Sequence, residues 1–242
     1  MRRDYHRWYS PHLNRDMELL VFGHGGERML VFPTRCGRFF DYENWGLVDC
    51  WRQRIEAGEV QLWCVDSVDA ESVYCAWAKP EQRIHRHLAY ERYFFDEVIP
   101  FSKVDNSDQR LSAHGCSLGA WHAMNVACRH PERFTRILAF SGRFDLTRTI
   151  AHYRDLFDGH YDQDIYFNMP SHYVPGLTAE YLLNPLRNLA ITMTSGELDP
   201  LVDNNRDYSA SLHRQGVYHR LHVWRDDAHR PKWWRKMIQE YA

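Results

Sequence analysis

The sequence predicts an α/β protein with a mostly parallel, twisted sheet and helices on both faces. Short apolar runs typical of buried strands alternate with longer amphipathic runs typical of helices along most of the chain. The 242 residues, 44% of them hydrophobic and 14% aromatic, can also bury a large core. Because no repeat, low-complexity segment or linker interrupts this pattern, we expect residues 1–242 to form one domain.

The first elements are expected to be antiparallel. Apolar runs at 17–23 and 28–33 flank the segment His-Gly-Gly-Glu, whose glycines suit a hairpin turn. Three further elements follow: a helix over 41–59 that ends near Gly58, a buried strand over 60–67, and a long helix over 83–102 that Pro100 stops.

From residue 110 onward strands and helices alternate. Strands are predicted at 110–116, 136–142, 189–196 and 218–225, and helices at 119–130, 203–216 and 232–241. Right-handed crossovers would make this part parallel and place ligands at the carboxyl ends of the strands. An irregular insert over 145–188 is a candidate lid, with Tyr153, Tyr161, Tyr166 and Tyr173; alternatively, its aromatics only anchor it to the domain.

Charge and composition exclude several kinds of partner. A net charge of −2 gives no general attraction to nucleic acid or to anionic membranes, so we expect neither as a partner. The basic N-terminus lacks the apolar stretch of a signal peptide, which predicts a cytoplasmic protein. The cysteines and histidines lack zinc-binding spacings, and the His-Arg-His at 85–87 reads as a solvated helix face; no metal or other cofactor is expected. Association into a homo-oligomer stays open.

One short motif indicates a catalytic nucleophile. The sequence Gly115-Cys116-Ser117-Leu118-Gly119 stands between a predicted strand and a predicted helix. A nucleophile on such a sharp turn needs small neighbours two positions away, and the N–H of Leu118 at the helix start can donate to an oxyanion. The alternative is that Ser117 merely caps the helix. Trp121, just beyond, is expected to pack the helix on the sheet.

A serine nucleophile requires a base and an orienting acid, and in this architecture the acid and then the histidine follow the serine along the chain. Asp199, just past the strand at 189–196, is the preferred acid, although it could instead form an Asx turn or a cap. Glu197 is the alternative acid, and Asp203 resembles the cap of the next helix. His229, in the loop before the last helix, is the predicted base.

Several segments resemble the putative esterase family of α/β-hydrolases, which contains esterase D and the antigen 85 mycolyltransferases. They are "VFPTRCGRFFDYENWG", "AHGCSLGAWHAMNVACRHPERFTRILAFSGRFDL", "DGHYDQDIYFNMPSHYVPGL", "TSGELDP" and "DDAHRPKWW". The resemblance implies an α/β-hydrolase sheet of eight to nine strands and a triad of Ser117, Asp199 and His229. It also implies a second oxyanion donor in "PTRCG", the N–H of Arg35 or Cys36. That loop is poorer in glycine than is usual in the family, and "HRP" replaces the common "HDW".

The sequence therefore predicts a serine carboxylesterase for a small-molecule ester. An acyltransferase that uses an alcohol or thiol acceptor, and a catalytically silent binding protein of the same fold, are the alternatives. The Arg35 side chain could attract a carboxylate or phosphate of the substrate, or it could pair with a surface acid.

Overall fold

The computed structural model describes residues 1–242 and contains one eight-stranded sheet. Its strands are β1 (Arg3–Ser10), β2 (Arg15–Phe22), β3 (Glu27–Phe32), β4 (Val60–Val65), β5 (Leu111–Cys116), β6 (Arg136–Phe140), β7 (Ala190–Gly196) and β8 (His219–Trp224). They lie in the order β1-β2-β4-β3-β5-β6-β7-β8. Strands β3 to β8 are parallel, and β2 joins them through antiparallel pairing with β4. The predicted mostly parallel sheet is confirmed.

The antiparallel start exists but involves other strands than predicted. β1 pairs with β2 in a hairpin, whereas β2 and β3 are separated in the sheet by β4. The sequence did not predict β1 because charged, aromatic and polar side chains are mixed along it without an apolar run, and every second residue is exposed, as is typical of an edge strand. The glycine-containing loop at 23–26 therefore connects β2 to β3 past one end of β4, and it is not the turn of a hairpin between adjacent strands.

Ten α-helical segments accompany the sheet. They are α1 (Asp41–Asn44), α2 (Arg52–Glu56), α3 (Pro80–Tyr93), α4 (Ile99–Asp105), α5 (Leu118–Arg129), α6 (Gln163–Phe167), α7 (Pro170–Tyr173), α8 (Glu180–Arg187), α9 (Val202–Arg214) and α10 (Pro231–Tyr241). None of them combines the length and the apolar character that crossing a bilayer requires.

Two helix predictions were wrong in detail. The helix expected over 41–59 is broken into short pieces, because Gly46 adopts a φ of 68° that a helix cannot contain. The helix expected to stop at Pro100 continues to Asp105. A π-helical turn over Phe94–Val98 interrupts the regular hydrogen-bond ladder just before Pro100, so the proline ring and its missing N–H are accommodated.

Side chains alternate between two cores on the two faces of the sheet. On β3, for example, Leu30 and Phe32 enter the larger core, beneath α3, α4, α5 and α9, while Met29 and Val31 enter the second core, beneath α1, α2 and α10. Helices thus cover both faces, as the sequence predicts.

The insert over 145–188 is more ordered than predicted, since it contains α6, α7 and α8. A third apolar cluster lies between it and α5, and Trp121 belongs to this cluster, where its Nε1 donates to the carbonyl of Asn168 at 3.2 Å. Trp121 therefore packs α5 against the insert and not against the sheet, contrary to prediction. His87 also departs from its predicted solvated position: it is buried, with its ring 4.8 Å from that of Trp121, whereas His85 is exposed.

Candidate active site

The turn between β5 and α5 holds Ser117 in a strained conformation. Its φ and ψ are 57° and −120°, a combination that side-chain-bearing residues rarely adopt, and its N–H is fixed by the carbonyl of Phe140 at 2.8 Å. Ser117 occupies the N-cap position of α5, but its side chain makes no capping bond, so the hydroxyl is not used to cap the helix. The hydroxyl is instead partly exposed at the carboxyl edge of the sheet.

Both glycines of the motif are required by close packing. A Cβ at Gly119 would lie under 3.0 Å from the carbonyl oxygens of Phe32 and Pro33, at the end of β3. A Cβ at Gly115 would meet the backbone of Gly119 equally closely. The helix can therefore start against the neighbouring strand only if these two side chains are absent.

The structure brings Ser117, His229 and Asp199 into one hydrogen-bonded line. His229 Nε2 lies 2.9 Å from Ser117 Oγ, and His229 Nδ1 lies 2.8 Å from Asp199 Oδ2. The Asp199 side chain is completely buried, whereas that of His229 is 18% exposed. A buried carboxylate bonded to Nδ1 fixes the tautomer in which Nε2 can accept a proton from the hydroxyl.

Asp199 also forms the Asx turn that was its alternative role in the sequence. Its second oxygen, Oδ1, accepts the N–H of Leu201 at 2.9 Å while Oδ2 faces His229. Glu197 is exposed and takes no part in the line. Asp203 does not cap α9, whose N-cap is Leu201; it pairs with Arg206 in the first turn at 3.0 Å.

The loop of His229 is tied to the end of β6. Ser141 donates its hydroxyl to the carbonyl of Ala228 at 2.7 Å and accepts from Trp234 Nε1 at 3.1 Å. The Trp234 ring lies 5.9 Å from the imidazole. These contacts orient the loop before any substrate is bound.

Of the two candidate oxyanion donors in the loop after β3, one is already engaged. The N–H of Cys36 donates to Asp69 Oδ2 at 2.9 Å. The N–H of Arg35 has no acceptor within the protein, and neither has that of Leu118 at the start of α5. Asp69 is itself held by His122 Nε2 at 2.9 Å, so a buried pair fixes the loop.

A cavity of about 280 Å³ opens above Ser117 and His229. Its walls include Arg35 and Tyr153, which were singled out in the sequence, but also Tyr74, Arg143 and His152, which were missed. Arg143 could have been noticed as a charged residue placed just after an apolar strand, where parallel sheets bind ligands.

Burial lowers the pKa of Arg143 and raises the pKa of the Tyr74 and Tyr153 phenols. The phenols are therefore neutral at neutral pH, and the guanidinium stays charged despite its burial because arginine does not lose its proton in proteins.

The four tyrosines of the insert do not share one role: the sequence left open whether they line the cavity or anchor the insert to the domain. Only Tyr153 reaches the cavity, with its ring 6.2 Å from that of His229. Tyr173 is buried, Tyr166 packs against the larger core, and Tyr161 is exposed, with its hydroxyl 2.8 Å from His172 Nδ1.

No group of three or more histidine, cysteine, aspartate or glutamate side chains is placed to hold a metal ion.

Comparison with known proteins adds three kinds of finding. Residues 37–241 match the model of the family described as "Putative esterase". A search of the curated proteins gives no match. Among solved structures, a ferulic acid esterase aligns with a TM-score of 0.79 at 17% identity, over 99% of this chain and 96% of that one.

Two further structures are similar over almost the whole chain. An S-formylglutathione hydrolase from Agrobacterium tumefaciens has a TM-score of 0.74 at 14% identity, covering 99% of this chain and 92% of that chain. The fluorophosphonate-binding serine hydrolase F from Staphylococcus aureus has a TM-score of 0.71 at 14% identity, with 99% and 96% covered. At these identities the likeness establishes the α/β-hydrolase fold.

Proposed function

Because the chain belongs to the "Putative esterase" family, we propose that it is a serine hydrolase that cleaves carboxylic esters through an acyl-serine intermediate. The observation that carries the proposal is the line Asp199–His229–Ser117, with hydrogen bonds of 2.8 and 2.9 Å. Small-molecule esters are the substrate class, and the reaction needs no cofactor.

In the first half-reaction, Ser117 Oγ attacks the ester carbonyl while His229 Nε2 takes the hydroxyl proton. Asp199 stabilises the imidazolium that forms. His229 then passes the proton to the leaving alkoxide, so that an alcohol departs and the acyl group stays on Ser117.

The tetrahedral intermediate places a negative charge on the former carbonyl oxygen. We assign its stabilisation to the backbone N–H groups of Leu118 and Arg35, which lack other acceptors. Cys36 is the less suitable donor because Asp69 already accepts its N–H. A single oxyanion donor accounts for on the order of 10² to 10³ in turnover.

In the second half-reaction, His229 activates water, which attacks the acyl-serine and releases the acid. Ser117 and His229 are both partly exposed, so water can reach the acyl group. Transfer to an alcohol or thiol is the competing outcome, and it would appear as product formed with an added acceptor.

A panel of p-nitrophenyl esters of graded acyl length tests the proposal. Turnover should fall by several orders of magnitude in Ser117→Ala, and a fluorophosphonate should label the wild type but not the variant. Ser112→Ala is the matched control, because this buried serine of β5 has a hydroxyl without a partner and lies outside the line. Equal turnover in Ser117→Ala and wild type would refute the assignment, and absence of any ester hydrolysis by the folded wild type would refute the proposed function.

A further inference from the structure

The two charged side chains that line the cavity at Ser117, those of Arg35 and Arg143, are both positive. This cavity adjoins a second cavity of about 230 Å³, and the two share the side chains of Arg35, Arg143 and His152 among their walls. The second cavity adds Arg154. Neither cavity has an aspartate or glutamate in its lining. A cleft with charges of one sign attracts ligands of the other sign.

Arg143 is the most unusual of these residues, because its buried charge is not neutralised. The residue is 2% exposed, and its Nε and Nη2 donate only to backbone carbonyls, including those of Arg148 at 2.9 Å and Arg154 at 2.6 Å. Its Nη1 is buried without a hydrogen-bond partner, and among the side chains around the guanidinium the Tyr74 hydroxyl favours its charged form. A buried guanidinium with an unused donor is costly unless a ligand completes its surroundings.

The Asp145 carboxylate favours the charged form of Arg143 from a distance but makes no ion pair with it. Asp145 is bonded to Thr147 at 2.7 Å and to His172 at 3.1 Å, and it lines a separate cavity. Arg143 forms no ion pair, and the face of the Tyr153 ring lies 5.6 Å from its guanidinium carbon. Carbonyl oxygens thus hold the guanidinium in place but leave its charge available to the cavity.

The side chain of Arg35 is also free of carboxylates. It lies over the Tyr74 ring, 5.7 Å from the centroid, and pairs with no surface acid, in contrast to Arg38 in the same loop, which pairs with Asp66 at 2.8 Å. The Arg154 side chain is exposed and forms no ion pair either. Of the two readings of Arg35 that the sequence left open, pairing with a surface acid is wrong.

We propose that these arginines form a subsite for an oxyanionic group, a carboxylate or a phosphate, carried by the ester substrate beside its scissile bond. The inference rests on the proposed esterase function and names its substrate class: esters with a negatively charged acyl or alcohol part. Arg143 would complete its hydrogen bonding on the anion, and Arg35 and Arg154 would approach it from the open side. The anion itself stays unchanged when the ester is hydrolysed.

Three esters of similar length test the acyl side. They are 4-nitrophenyl hydrogen adipate, which is anionic, 4-nitrophenyl hexanoate, which is neutral, and 4-nitrophenyl 6-aminohexanoate, which is cationic. We expect kcat/KM to be roughly tenfold or more higher for the adipate than for the hexanoate, and lowest for the cationic ester, with the preference declining as salt is added. For the alcohol side, 4-acetoxybenzoate is compared with the neutral 4-acetoxybenzamide.

Substitution of the arginines then tests whether they cause the preference for anionic esters. Arg35→Gln and Arg154→Gln should each lower the ratio of kcat/KM for the charged over the neutral ester by roughly fivefold to tenfold. Arg220→Gln is the control for net charge, since Arg220 is exposed on β8 and lies outside both cavities. Arg143→Lys, which keeps the charge but loses the planar donor set, should lower the same ratio and is used because Arg143→Gln risks misfolding.

The outcomes distinguish failure of the subsite proposal from failure of the proposed esterase function. If hydrolysis depends on Ser117 but neither anionic ester is preferred, the subsite is refuted and the esterase stands. If no ester is hydrolysed, calorimetry with adipate and phenyl phosphate decides: binding that Arg35→Gln weakens supports the subsite, and absence of binding overturns it. If the esters are hydrolysed, inhibition of hexanoate hydrolysis by benzoate or by phenyl phosphate supports the subsite where Arg35→Gln weakens it, and the stronger inhibitor is the anion that the subsite prefers.

Discussion

Single residues set the position of the nucleophile. Ser117 is held at a φ of 57° because its N–H bonds to β6 and because α5 starts immediately after it. The close approach of Gly119 to the carbonyl oxygens at the end of β3 makes this turn possible. The strain at Ser117 is therefore maintained by packing on both sides and not by the serine itself.

Substitution of Gly119 by alanine tests this dependence. Alanine in a helix is intrinsically more favourable than glycine, so any loss of stability must come from the clash with Phe32 and Pro33. We expect Gly119→Ala to lower the free energy of unfolding by roughly 2–4 kcal/mol and to reduce ester hydrolysis strongly. Urea denaturation and p-nitrophenyl ester turnover measure the two effects. Gly25→Ala is the control, because a Cβ there meets nothing within 4 Å, and equal stability of the two variants would contradict the clash.

A second prediction at this scale separates the two acids of one loop. Asp199→Asn keeps the side-chain volume but removes the carboxylate that faces His229 Nδ1, so we expect kcat to fall by on the order of 10³ to 10⁴. Glu197→Gln should leave turnover unchanged, since Glu197 is exposed and outside the line. Steady-state kinetics of both variants test this prediction. A larger loss of kcat in Glu197→Gln than in Asp199→Asn would identify Glu197 as the acid.

At the scale of elements, the loop after β3 depends on the short segment that follows β4. Asp69 accepts the N–H of Cys36 with one oxygen and faces His122 of α5 with the other, at 2.9 Å in each case. Both side chains of this pair are buried. The pair thus links the oxyanion loop to the helix that begins at the nucleophile, and it fixes the N–H of Arg35 relative to Ser117.

Loosening this link should affect the rate more than substrate binding. In Asp69→Asn only one acceptor oxygen remains, so the Cys36 N–H and His122 can no longer both bond to a carboxylate oxygen; the loop is held less firmly, and kcat should fall by about tenfold or more, with a smaller change in KM. Asp66→Asn is the matched control: Asp66 accepts the N–H of Phe39 at 3.3 Å, farther along the same loop. A similar loss of kcat in both variants would indicate general destabilisation and not positioning.

The whole molecule carries buried histidines that govern its response to acid. Burial lowers the pKa of His87 to about 3, with a contribution from nearby His122, and lowers the pKa of His114 to about 4. An unfolded histidine takes up a proton near pH 6.5, whereas these two stay neutral in the folded protein until much lower pH. The unfolded state therefore binds more protons below pH 6.5, and stability falls as the pH decreases toward the folded-state values.

We expect the free energy of unfolding to fall by about 2 kcal/mol for each of these histidines between pH 7 and pH 5. Urea denaturation of His87→Gln at the two pH values should show a pH-dependent loss smaller by about that amount than in the wild type. His85→Gln, an exposed position of the same helix, should keep the wild-type pH dependence. An unchanged pH dependence in His87→Gln would show that His87 does not contribute.

The sheet also bears on domain organisation. Its two edge strands come from opposite ends of the chain, β1 from residues 3–10 and β8 from residues 219–224. We infer one domain over 1–242, since a sheet that needs both ends of the chain cannot be divided between independently folding parts. Limited proteolysis that released a stable fragment would contradict this inference.

The sequence by itself determined the alternation of strands and helices and the turn at Ser117, because these depend on local periodicity and on residues at the ends of buried strands, and it predicted Asp199 and His229 as acid and base from their positions after such strands. The pairing of β1 with β2, the passage of the helix through Pro100 and the packing of Trp121 on the insert were decided by tertiary structure. In each case the deciding partner lies far away in the chain or in an irregular turn that local pattern does not encode. The same holds for Arg143, whose unpaired charge becomes visible only when the groups around it are known.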